Sequence, residues 1–347
     1  MHWSKSRFIM GPALLLFTLS ALASDVATPL HKKKYAMGTV FEILTYDTSL
    51  PHASEAIALA FQEIVHLDNI MSNYKPESDL SRLNRAAHFH AEAVPPDLYR
   101  TIEKSLQYSK LSGGKFDITV GPLVNRWKAV MRGEPAPSTA EEQQLRTCIG
   151  YEKIQLLSDN RIEFLSECLE IDLGAIGKGY AVDRAADILR AHGIRNALIN
   201  AGGSTIYGMG CSPGQPGWLV NLRDPSQRLD PQIVLTDNSV STSEQTPASL
   251  LGARSAGHIV DPPKGEPLKT PFAVSVVAKT ATASDALSTT LLLVGPQEGK
   301  RVVKNTAEVA AIWISADGQT ESASNGPQIV LGRMRHGTRK SEAAGLR

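Results

Sequence analysis

The most constraining feature of this sequence is residues 171–183, where a short apolar run ends in a turn that contains three glycines. Gly174, Gly177 and Gly179 allow the backbone to approach a ligand closely, and the residues that follow have helical periodicity. The start of a helix offers free N–H groups and the positive end of a dipole, both of which attract anions. The stretch therefore predicts a strand–turn–helix unit that holds a phosphate-bearing ligand.

Composition and motifs exclude several other classes of function. The net charge is +1, from 36 basic and 35 acidic residues, which gives no reason to expect nucleic acid as a partner. Residues 172–179 have neither the glycine spacing of a P-loop nor that of a dinucleotide fingerprint. No strand-to-helix G-x-S-x-G elbow is predicted either, so a hydrolase triad has no starting point.

The N-terminus has the form of a secretory signal. Lys5 precedes an apolar run, residues 8–23, and the small residues Ala21 and Ala23 fit a cleavage site. The run is short for a membrane span, so a cleaved signal is favoured over the alternative of a retained anchor. We therefore expect residues 1–23 to be removed and the mature protein to work outside the cytoplasm, in the periplasm or an equivalent compartment.

The rest of the chain mixes predicted helices and strands without a clear linker or an internal repeat. With 347 residues, 42% of them hydrophobic, it can bury a large core. One α+β domain with two lobes is predicted for residues 30–332, followed by a disordered tail at residues 333–347. Apolar periodicity predicts helices at residues 54–71, 97–112, 179–191 and 281–293. Strands are predicted at residues 33–47, 115–124, 154–157, 161–165, 197–204, 218–222, 233–235, 240–242, 272–278 and 308–315.

The three cysteines leave two interpretations open. In an oxidising compartment one pair can form a disulfide, and Cys148 and Cys168 are the favoured pair because they flank a predicted hairpin. Three buried free thiols, with Cys211 as the third, fit the sequence equally well. No cysteine spacing in this chain suits a zinc site.

Asp285 and Thr289 are the candidate metal ligands. They lie four residues apart on a predicted buried helix, and this spacing puts both side chains on one face. A carboxylate and a hydroxyl are hard oxygen ligands, which suit Mg²⁺, and Ser288 could add a further oxygen. The alternative is that Asp285 caps the start of its helix and Thr289 bonds back to the preceding turn; taken alone, the pair favours this alternative.

Three further polar residues each have a functional and a structural interpretation. Lys178 could contact a phosphate or a ring edge, or it could pair with Asp172 in an ion pair. His258 could act as a general base, or it could be a hydrogen-bonded histidine of the core. Asp117, between apolar neighbours, could form a turn or point into a site, and by itself it favours the turn.

Seven stretches together resemble one known family. In chain order they are Met37-Gly-Thr, Met71-Ser-Asn-Tyr-Lys-Pro-Glu-Ser-Asp-Leu-Ser-Arg-Leu-Asn84, Phe116-Asp-Ile-Thr-Val-Gly-Pro-Leu-Val124, Ile171-Asp-Leu-Gly-Ala-Ile-Gly-Lys-Gly179, Asn200-Ala-Gly-Gly203, His258-Ile-Val-Asp-Pro262 and Asp285-Ala-Leu-Ser-Thr289. In content and order they resemble the ApbE family, the FAD:protein FMN transferases, over residues 37–295. The resemblance implies an ApbE-like, T-fold-related fold of mixed sheets packed with helices.

The resemblance also implies an activity and a set of site residues. Such enzymes use FAD and Mg²⁺ and transfer the FMN half to a Thr or Ser hydroxyl of another protein, with release of AMP. The residues that would line the FAD site are Met37, Tyr74, Phe116, Asp117, Ile118, Asp172, Lys178 and Ile259. Those that would hold the metal are the carbonyl of Ala175, Asp285 and Thr289, with Ser288 a lesser candidate. His258 and Asp261 are the candidates to accept the proton of the acceptor hydroxyl.

Two stretches depart from the family pattern. Thr-Ser-Gly followed by an aromatic residue is usual where this chain has Thr242-Ser-Glu-Gln245, and Arg-Thr-Gly is usual where it has Pro263-Lys-Gly265. They motivate one alternative function, an FAD-binding protein that transfers nothing. A further alternative, a Mg²⁺-dependent FAD pyrophosphatase, would use the same site with water as the acceptor. The chain contains no acceptor motif like Asp-Gly-x-Thr-Gly-Ala-Thr, so we expect the acceptor to be another protein.

Overall fold

The computed structural model describes residues 28–47, 49–245, 259–327 and 329–333. The predicted signal, residues 1–23, lies outside the described residues, as do His258 and residues 334–347 of the predicted tail. Among the described residues, no helix is both long enough and apolar enough to cross a membrane.

Strands and helices follow one another in runs along the chain rather than in strict alternation, as expected for an α+β protein. The helices are α1 (Leu50–Met71), α2 (Asp79–Ala86), α3 (Pro96–Leu111), α4 (Gly121–Met131), α5 (Thr139–Cys148), α6 (Gly177–Ala191) and α7 (Ala281–Lys304). The strands are β1 (Thr28–Ala36), β2 (Thr39–Asp47), β3 (Glu92–Ala93), β4 (Ile154–Leu157), β5 (Arg161–Phe164), β6 (Ala197–Ala201), β7 (Thr205–Met209), β8 (Trp218–Asn221), β9 (Leu229–Leu235), β10 (Asn238–Glu244), β11 (Val260–Asp261), β12 (Glu266–Pro267), β13 (Phe272–Ala278), β14 (Val309–Ser315), β15 (Thr320–Asn325) and β16 (Val330–Arg333). Arg333 therefore ends a strand, and the predicted tail cannot begin before residue 334.

The centre of the fold is an eight-stranded antiparallel sheet with the strand order β1-β2-β6-β7-β10-β13-β14-β15. Side chains alternate between its two faces. Val274 and Val276 of β13 pack with the apolar side of α7, whereas Val277 packs with Trp218 of β8 on the opposite face. The sheet therefore lies between a helical layer and the small sheet β16-β9-β8, and this arrangement confirms the α+β prediction.

Helices α6 and α7 begin side by side, and each supplies a carboxylate to the first turn of the other. Asp285 of α7 accepts a hydrogen bond from the Gly179 N–H at 2.8 Å. Asp183 of α6 accepts from the Ala281 N–H at 2.7 Å and the Thr282 N–H at 2.9 Å. These bonds satisfy N–H groups that have no partner inside their own helix. Reciprocal capping thus fixes the two helix starts against each other.

The predicted strand at residues 115–124 is wrong. Val120 makes a single parallel bridge to Glu170, and helix α4 begins at the next residue, Gly121. Pro122 lies in the first turn of this helix, where its missing N–H group has no partner to lose. The Gly-Pro pair, which the sequence suggests as the end of a strand, is the start of a helix.

The structure confirms the favoured cysteine pair. Cys148, the last residue of α5, forms a disulfide with Cys168, and Cys211 is a half-buried free cysteine. Cys168 lies three residues before Ile171, so the bridge ties α5 to the segment that leads into the glycine-rich turn.

Replacing both Cys148 and Cys168 by alanine is expected to lower the free energy of unfolding by about 3 kcal/mol. The bridge spans a sequence separation of 20 residues, and it restricts the unfolded chain accordingly. Urea unfolding under non-reducing conditions measures the change. The matched control, Cys211→Ala, removes a thiol without a bridge and should stay within about 1 kcal/mol of the unchanged protein. Equal losses in both variants would contradict this account.

Candidate functional site

One large cavity, of about 1070 Å³, lies where several of the quoted stretches meet. Its volume is at the upper end of the range for small-molecule sites, which is enough for a dinucleotide. Segments far apart in the sequence line it: residues 37–39 between β1 and β2, 71–75 after α1, 115–118 before α4, 172–175 with 177 and 178 of the glycine-rich turn, 202–204 after β6, 242–244 of β10, 259, 260 and 262, and Asp285 and Thr289 of α7.

Tyr74 forms one wall of this cavity, and a lysine holds it in place. Its side chain is 78% exposed, which leaves one ring face available to a ligand. The Lys128 ammonium lies 4.8 Å from the ring centroid and donates to the Tyr74 hydroxyl at 2.8 Å. The same ammonium lies 3.9 Å from the Asp172 carboxylate. Lys128 therefore links the Tyr74 wall to the glycine-rich turn through cation–π, hydrogen-bond and ion-pair contacts.

The glycine-rich turn is held by side chains on both sides. Asn84 brackets the Ile171 backbone, since its amide donates to the Ile171 carbonyl at 3.0 Å and accepts from the Ile171 N–H at 2.8 Å. Asp172 accepts from the Gly174 N–H at 2.7 Å, and Lys178 donates to the Gly174 carbonyl at 3.2 Å. Asp172 and Lys178 thus both contact Gly174. Among the described residues, the ion pair that the sequence suggested between Asp172 and Lys178 is not found.

The three glycines of the turn have different roles. Gly174 and Gly177 line the cavity, but Gly179 does not. A Cβ atom at Gly179 would lie 2.3 Å from the Ala281 carbonyl oxygen, so this glycine allows the close crossing of α6 and α7. The N–H of Gly179 is bonded to Asp285, and that of Gly177 to the Leu173 carbonyl at 2.8 Å. Two of the N–H groups that were predicted to be free for a ligand near the start of α6 therefore already donate hydrogen bonds within the protein.

Asp285 and Thr289 both line the cavity, as their shared helix face predicts. The alternative that Asp285 caps its own helix is wrong: Thr280 is the N-cap of α7, and Asp285 caps α6. The Thr289 hydroxyl lies 3.1 Å from the hydroxyl of Ser243, a cavity residue of β10 that the sequence analysis did not identify. A carboxylate and two hydroxyl groups therefore meet at one end of the cavity.

Ser288 lies behind this end of the cavity rather than on its surface. Its side chain is fully buried, bonds the Ser243 hydroxyl at 2.8 Å and donates to the Asp285 carbonyl at 2.9 Å. Because the Ser288 hydroxyl makes hydrogen bonds behind the cavity wall, its position does not suit a metal ligand. Its contact with Ser243 instead positions a residue that does line the cavity.

Asp117 is a turn residue that also lines the cavity. Its carboxylate accepts from the Thr119 N–H at 2.8 Å, the Thr119 hydroxyl at 2.7 Å and the Tyr151 N–H at 3.0 Å. Burial raises the pKa of the Asp117 carboxyl, and these hydrogen bonds offset only part of that rise. Both interpretations drawn from the sequence are thus compatible: Asp117 shapes the turn and forms part of the cavity wall.

The raised pKa of Asp117 predicts a pH dependence of stability. A carboxyl that binds its proton more tightly when folded stabilises the folded state at low pH, and this contribution is lost as pH rises from about 4 through the raised value. Asp117→Asn removes the titration, so its free energy of unfolding should decline less between pH 3.5 and pH 7 than that of the unchanged protein. Urea unfolding across this range checks the difference. Parallel pH profiles would contradict the prediction.

Asp261 lies behind the cavity wall between two lysines. Its carboxylate is buried, 3.5 Å from the Lys115 ammonium and 3.4 Å from the Lys264 ammonium. Its neighbours Val260 and Pro262 line the cavity, as does Lys115, but Asp261 does not. This placement argues against direct proton transfer to Asp261 and favours a role in holding Lys115 at the cavity.

Comparison with known proteins identifies the family. The family model described as "ApbE family" matches residues 37–313, which is most of the chain. The chain belongs to the ApbE family. Relatives extend this match over nearly the whole length. A protein of Klebsiella pneumoniae (strain 342) named FAD:protein FMN transferase is 27% identical, and the alignment covers 92% of this chain and 95% of that protein.

Two further ApbE relatives agree. The FAD:protein FMN transferase of Escherichia coli (strain K12) is 29% identical over 76% of this chain and 77% of its own length. Among solved structures, the flavin transferase ApbE from Vibrio cholerae has a TM-score of 0.76 at 26% identity, and the match covers 86% of this chain and 98% of that one. These matches confirm the resemblance and the ApbE-like fold.

The cavity brings together nearly all the residues that the ApbE resemblance singles out. On its surface lie Met37, Tyr74, Phe116, Asp117, Ile118, Asp172, Ala175, Lys178, Ile259, Asp285 and Thr289. Ser288 and Asp261 lie behind its wall, and His258 lies outside the described residues. Reasoning from the sequence missed Lys115, Lys128, Arg223, Ser243 and Glu244, all of which line the cavity. A lysine on an amphipathic helix, such as Lys128, gives no local signal that separates it from a solvated one.

The residues of this ApbE cavity fit a magnesium ion better than a transition metal. The described residues contain no group of three or more His, Cys, Asp or Glu side chains that could hold a metal. Ala175, Asp285 and Thr289, which share the cavity, offer a carbonyl, a carboxylate and a hydroxyl oxygen. Such hard donors, few in number, suit Mg²⁺, which retains several of its waters and also binds substrate phosphates.

Proposed function

We propose that this protein transfers the FMN half of FAD to a Thr or Ser hydroxyl of an extracytoplasmic acceptor flavoprotein, in a Mg²⁺-dependent reaction that releases AMP. The observation that carries the proposal is the cavity of about 1070 Å³, onto which widely separated family stretches converge. Membership of the ApbE family, whose relatives are named FAD:protein FMN transferases, supports it.

The cavity offers an apolar wall and a polar turn to the two parts of FAD. The exposed Tyr74 ring, held by Lys128, is suited to stack on a flat ring system. Met37, at the turn between β1 and β2, packs beside the glycine-rich turn, since a Cβ at Gly177 would lie 3.4 Å from the Met37 methyl group. Lys178 supplies a positive charge from the first turn of α6. We assign these residues to FAD binding.

Ala175, Asp285 and Thr289 would hold the magnesium ion. A bound Mg²⁺ would supply positive charge at the pyrophosphate and so make AMP a better leaving group. Asp285 presents one carboxylate oxygen to the Gly179 N–H, so the capping bond fixes the carboxylate in place before a cation binds. Ser243, supported by Ser288, hydrogen-bonds the Thr289 hydroxyl from the other side. The chain therefore orients the metal ligands through its own hydrogen bonds.

The transfer forms one phosphorus–oxygen bond and breaks another. The acceptor hydroxyl oxygen attacks the phosphorus of the FMN half, and AMP departs with the electron pair of the broken bond. The hydroxyl proton needs an acceptor, and His258 stays the predicted one. Asp261 would act at a distance by holding Lys115, since both lysines beside it engage its buried carboxylate.

We also propose that the protein works outside the cytoplasm. The predicted signal at residues 1–23 and the disulfide between Cys148 and Cys168 support this location, because disulfides form and persist in oxidising compartments.

One assay separates transfer from the two alternatives. The mature protein is incubated with FAD, Mg²⁺ and a carrier protein that bears an Asp-Gly-x-Thr-Gly-Ala-Thr segment; the control carrier has valine at both threonines. AMP is measured by chromatography and labelling by in-gel flavin fluorescence. We expect AMP release and flavin fluorescence on the carrier, and no fluorescence on the control carrier. AMP and free FMN without labelling would indicate a pyrophosphatase, and a stable FAD complex without either product would indicate a binding protein.

A further inference from the structure

Within the described part of the chain, one edge of strand β10 has no strand partner near the metal end of the cavity. β10 pairs with β13 as far as Glu244, but with β7 only as far as Ser241. The Thr242 N–H donates to the Ser204 carbonyl at 2.8 Å, on the side away from β13. Backbone direction repeats every two residues in a strand, so the Glu244 N–H and carbonyl point to that same side. Among the described residues, no strand covers Ser243 and Glu244 there.

A second cavity, of about 360 Å³, adjoins the first at this edge. Arg223 and Glu244 line both cavities, so they stand at the boundary between them. Pro225, Pro271, Phe272 and Ala273 contribute apolar surface to the second cavity, beside polar residues such as Gln245. Its volume is suited to one or two side chains rather than to a dinucleotide.

Arg223 and Glu244 form an ion pair at this boundary. The Arg223 side chain is 65% exposed, whereas that of Glu244 is 18% exposed. A guanidinium group donates hydrogen bonds and a carboxylate accepts them, so together they complement the C=O and N–H groups of a peptide backbone. Glu244 also stands at the position where the resemblance to the ApbE pattern leads us to expect glycine.

We propose that the open edge of β10 at Ser243–Glu244, with Arg223 and the second cavity, binds the acceptor polypeptide as an added strand. An extended segment laid along this edge bonds the Glu244 backbone, as in other cases of strand addition. Its hydroxyl residue then lies beside Ser243 and Thr289 at the metal end of the cavity. A small or apolar side chain of the same segment enters the second cavity. The inference rests on the proposed transferase function, because it assigns the second substrate of that reaction.

Three variants test the edge and the ion pair. Glu244→Pro removes the N–H that an added strand would need, while the bonds to β13 use other backbone groups. Arg223→Ala and Glu244→Ala remove the two charges in turn. We expect each variant to raise the KM for the Asp-Gly-x-Thr-Gly-Ala-Thr carrier by about tenfold, which is the worth of one or two hydrogen bonds. The Kd for FAD, from flavin fluorescence, should change less than about twofold because FAD uses the other walls of the main cavity.

The control variant is Arg301→Ala, which removes the exposed ion pair of Arg301 with Glu298 far along α7 and should leave the carrier KM unchanged. A carrier KM within twofold of the unchanged protein in all three variants would overturn the inference. So would a parallel rise in the Kd for FAD, since the edge would then belong to the FAD site. A failure of the proposed function differs from both, because the unchanged protein would itself leave the carrier unlabelled.

A second measurement does not use the variants of Arg223 and Glu244 and so does not depend on how well they fold. A photocrosslinking amino acid at Thr270, which lines the second cavity, should capture the carrier in the presence of FAD and Mg²⁺. The same group at Glu103, an exposed position of α3 that lines neither cavity, should not. Equal capture at both positions, or capture at Glu103 alone, would contradict acceptor binding at this edge.

Discussion

Asp285→Ala is expected to reduce FMN transfer by at least about a hundredfold, the largest loss of activity predicted for this protein. Asp285 supplies the carboxylate of the proposed magnesium set, so the variant loses the charge that attracts the cation. It also removes the acceptor of the Gly179 N–H, which is bonded at 2.8 Å. A lost helix cap destabilises the fold by about 1 kcal/mol, and a buried N–H without a partner can double that loss. Carrier labelling and urea unfolding measure the two effects.

The variant Asp285→Asn separates the proposed metal-binding role of Asp285 from its role as a helix cap. Its amide oxygen can still accept from Gly179, so the free energy of unfolding should stay within about 1 kcal/mol of the unchanged protein. Because asparagine carries no charge, the variant should still lose most of its carrier labelling. The effect of Mg²⁺ on the Kd for FAD should disappear as well. An Asp285→Asn variant that labels the carrier normally would refute the assignment of Asp285 to the metal.

Gly179→Ala is expected to destabilise the fold by about 3 kcal/mol, the largest loss of stability predicted for a single added methyl group. The new Cβ would lie 2.3 Å from the Ala281 carbonyl oxygen and 2.7 Å from the Asp285 Cβ. Both contacts are with rigid parts of α7, so α6 and α7 must separate. Their separation also weakens the reciprocal caps made by Asp183 and Asp285.

Gly177→Ala is the matched control, since it adds the same methyl group two residues earlier in the same helix. Its Cβ would meet the Met37 methyl group at 3.4 Å and the Leu173 Cβ at 3.9 Å, and the Met37 side chain can move. Alanine is favoured over glycine within a helix by about 1 kcal/mol, so this variant should be neutral or slightly stabilised. Urea unfolding compares the two variants. Similar losses in both would show that the turn needs flexible backbone, rather than a close helix crossing, at Gly179.

Local patterns in the sequence predicted much of the fold. Helix α1 forms where Ile57, Phe61 and Ile64 recur at helical spacing, and all three are buried. Strand β13 has the predicted bounds, because a mostly apolar run that contains three valines suits a strand buried on both faces. These elements could be predicted because the pattern that determines them lies within a few residues of the chain.

Residues 115–124 could not be assigned correctly from a local pattern. Their β-branched residues favour a strand, but only one bridge forms, between Val120 and Glu170, and α4 starts immediately after it. The bridge joins residues that are 50 positions apart, so no short window of sequence contains both. The same reason explains why Lys128 was missed, since its partners Tyr74 and Asp172 lie on other segments.

The sequence by itself determined the family, most of the helices and strands, the favoured disulfide and eleven of the residues that line the main cavity. The glycine-rich turn at residues 171–183 is the clearest case, because its composition already predicts close backbone contacts. Only the tertiary structure decided that Gly179 accommodates α7 rather than a ligand, and that Asp183 and Asp285 each cap the other's helix. These bonds join residues 98 to 106 positions apart, and a contact of that range exists only once the chain has folded.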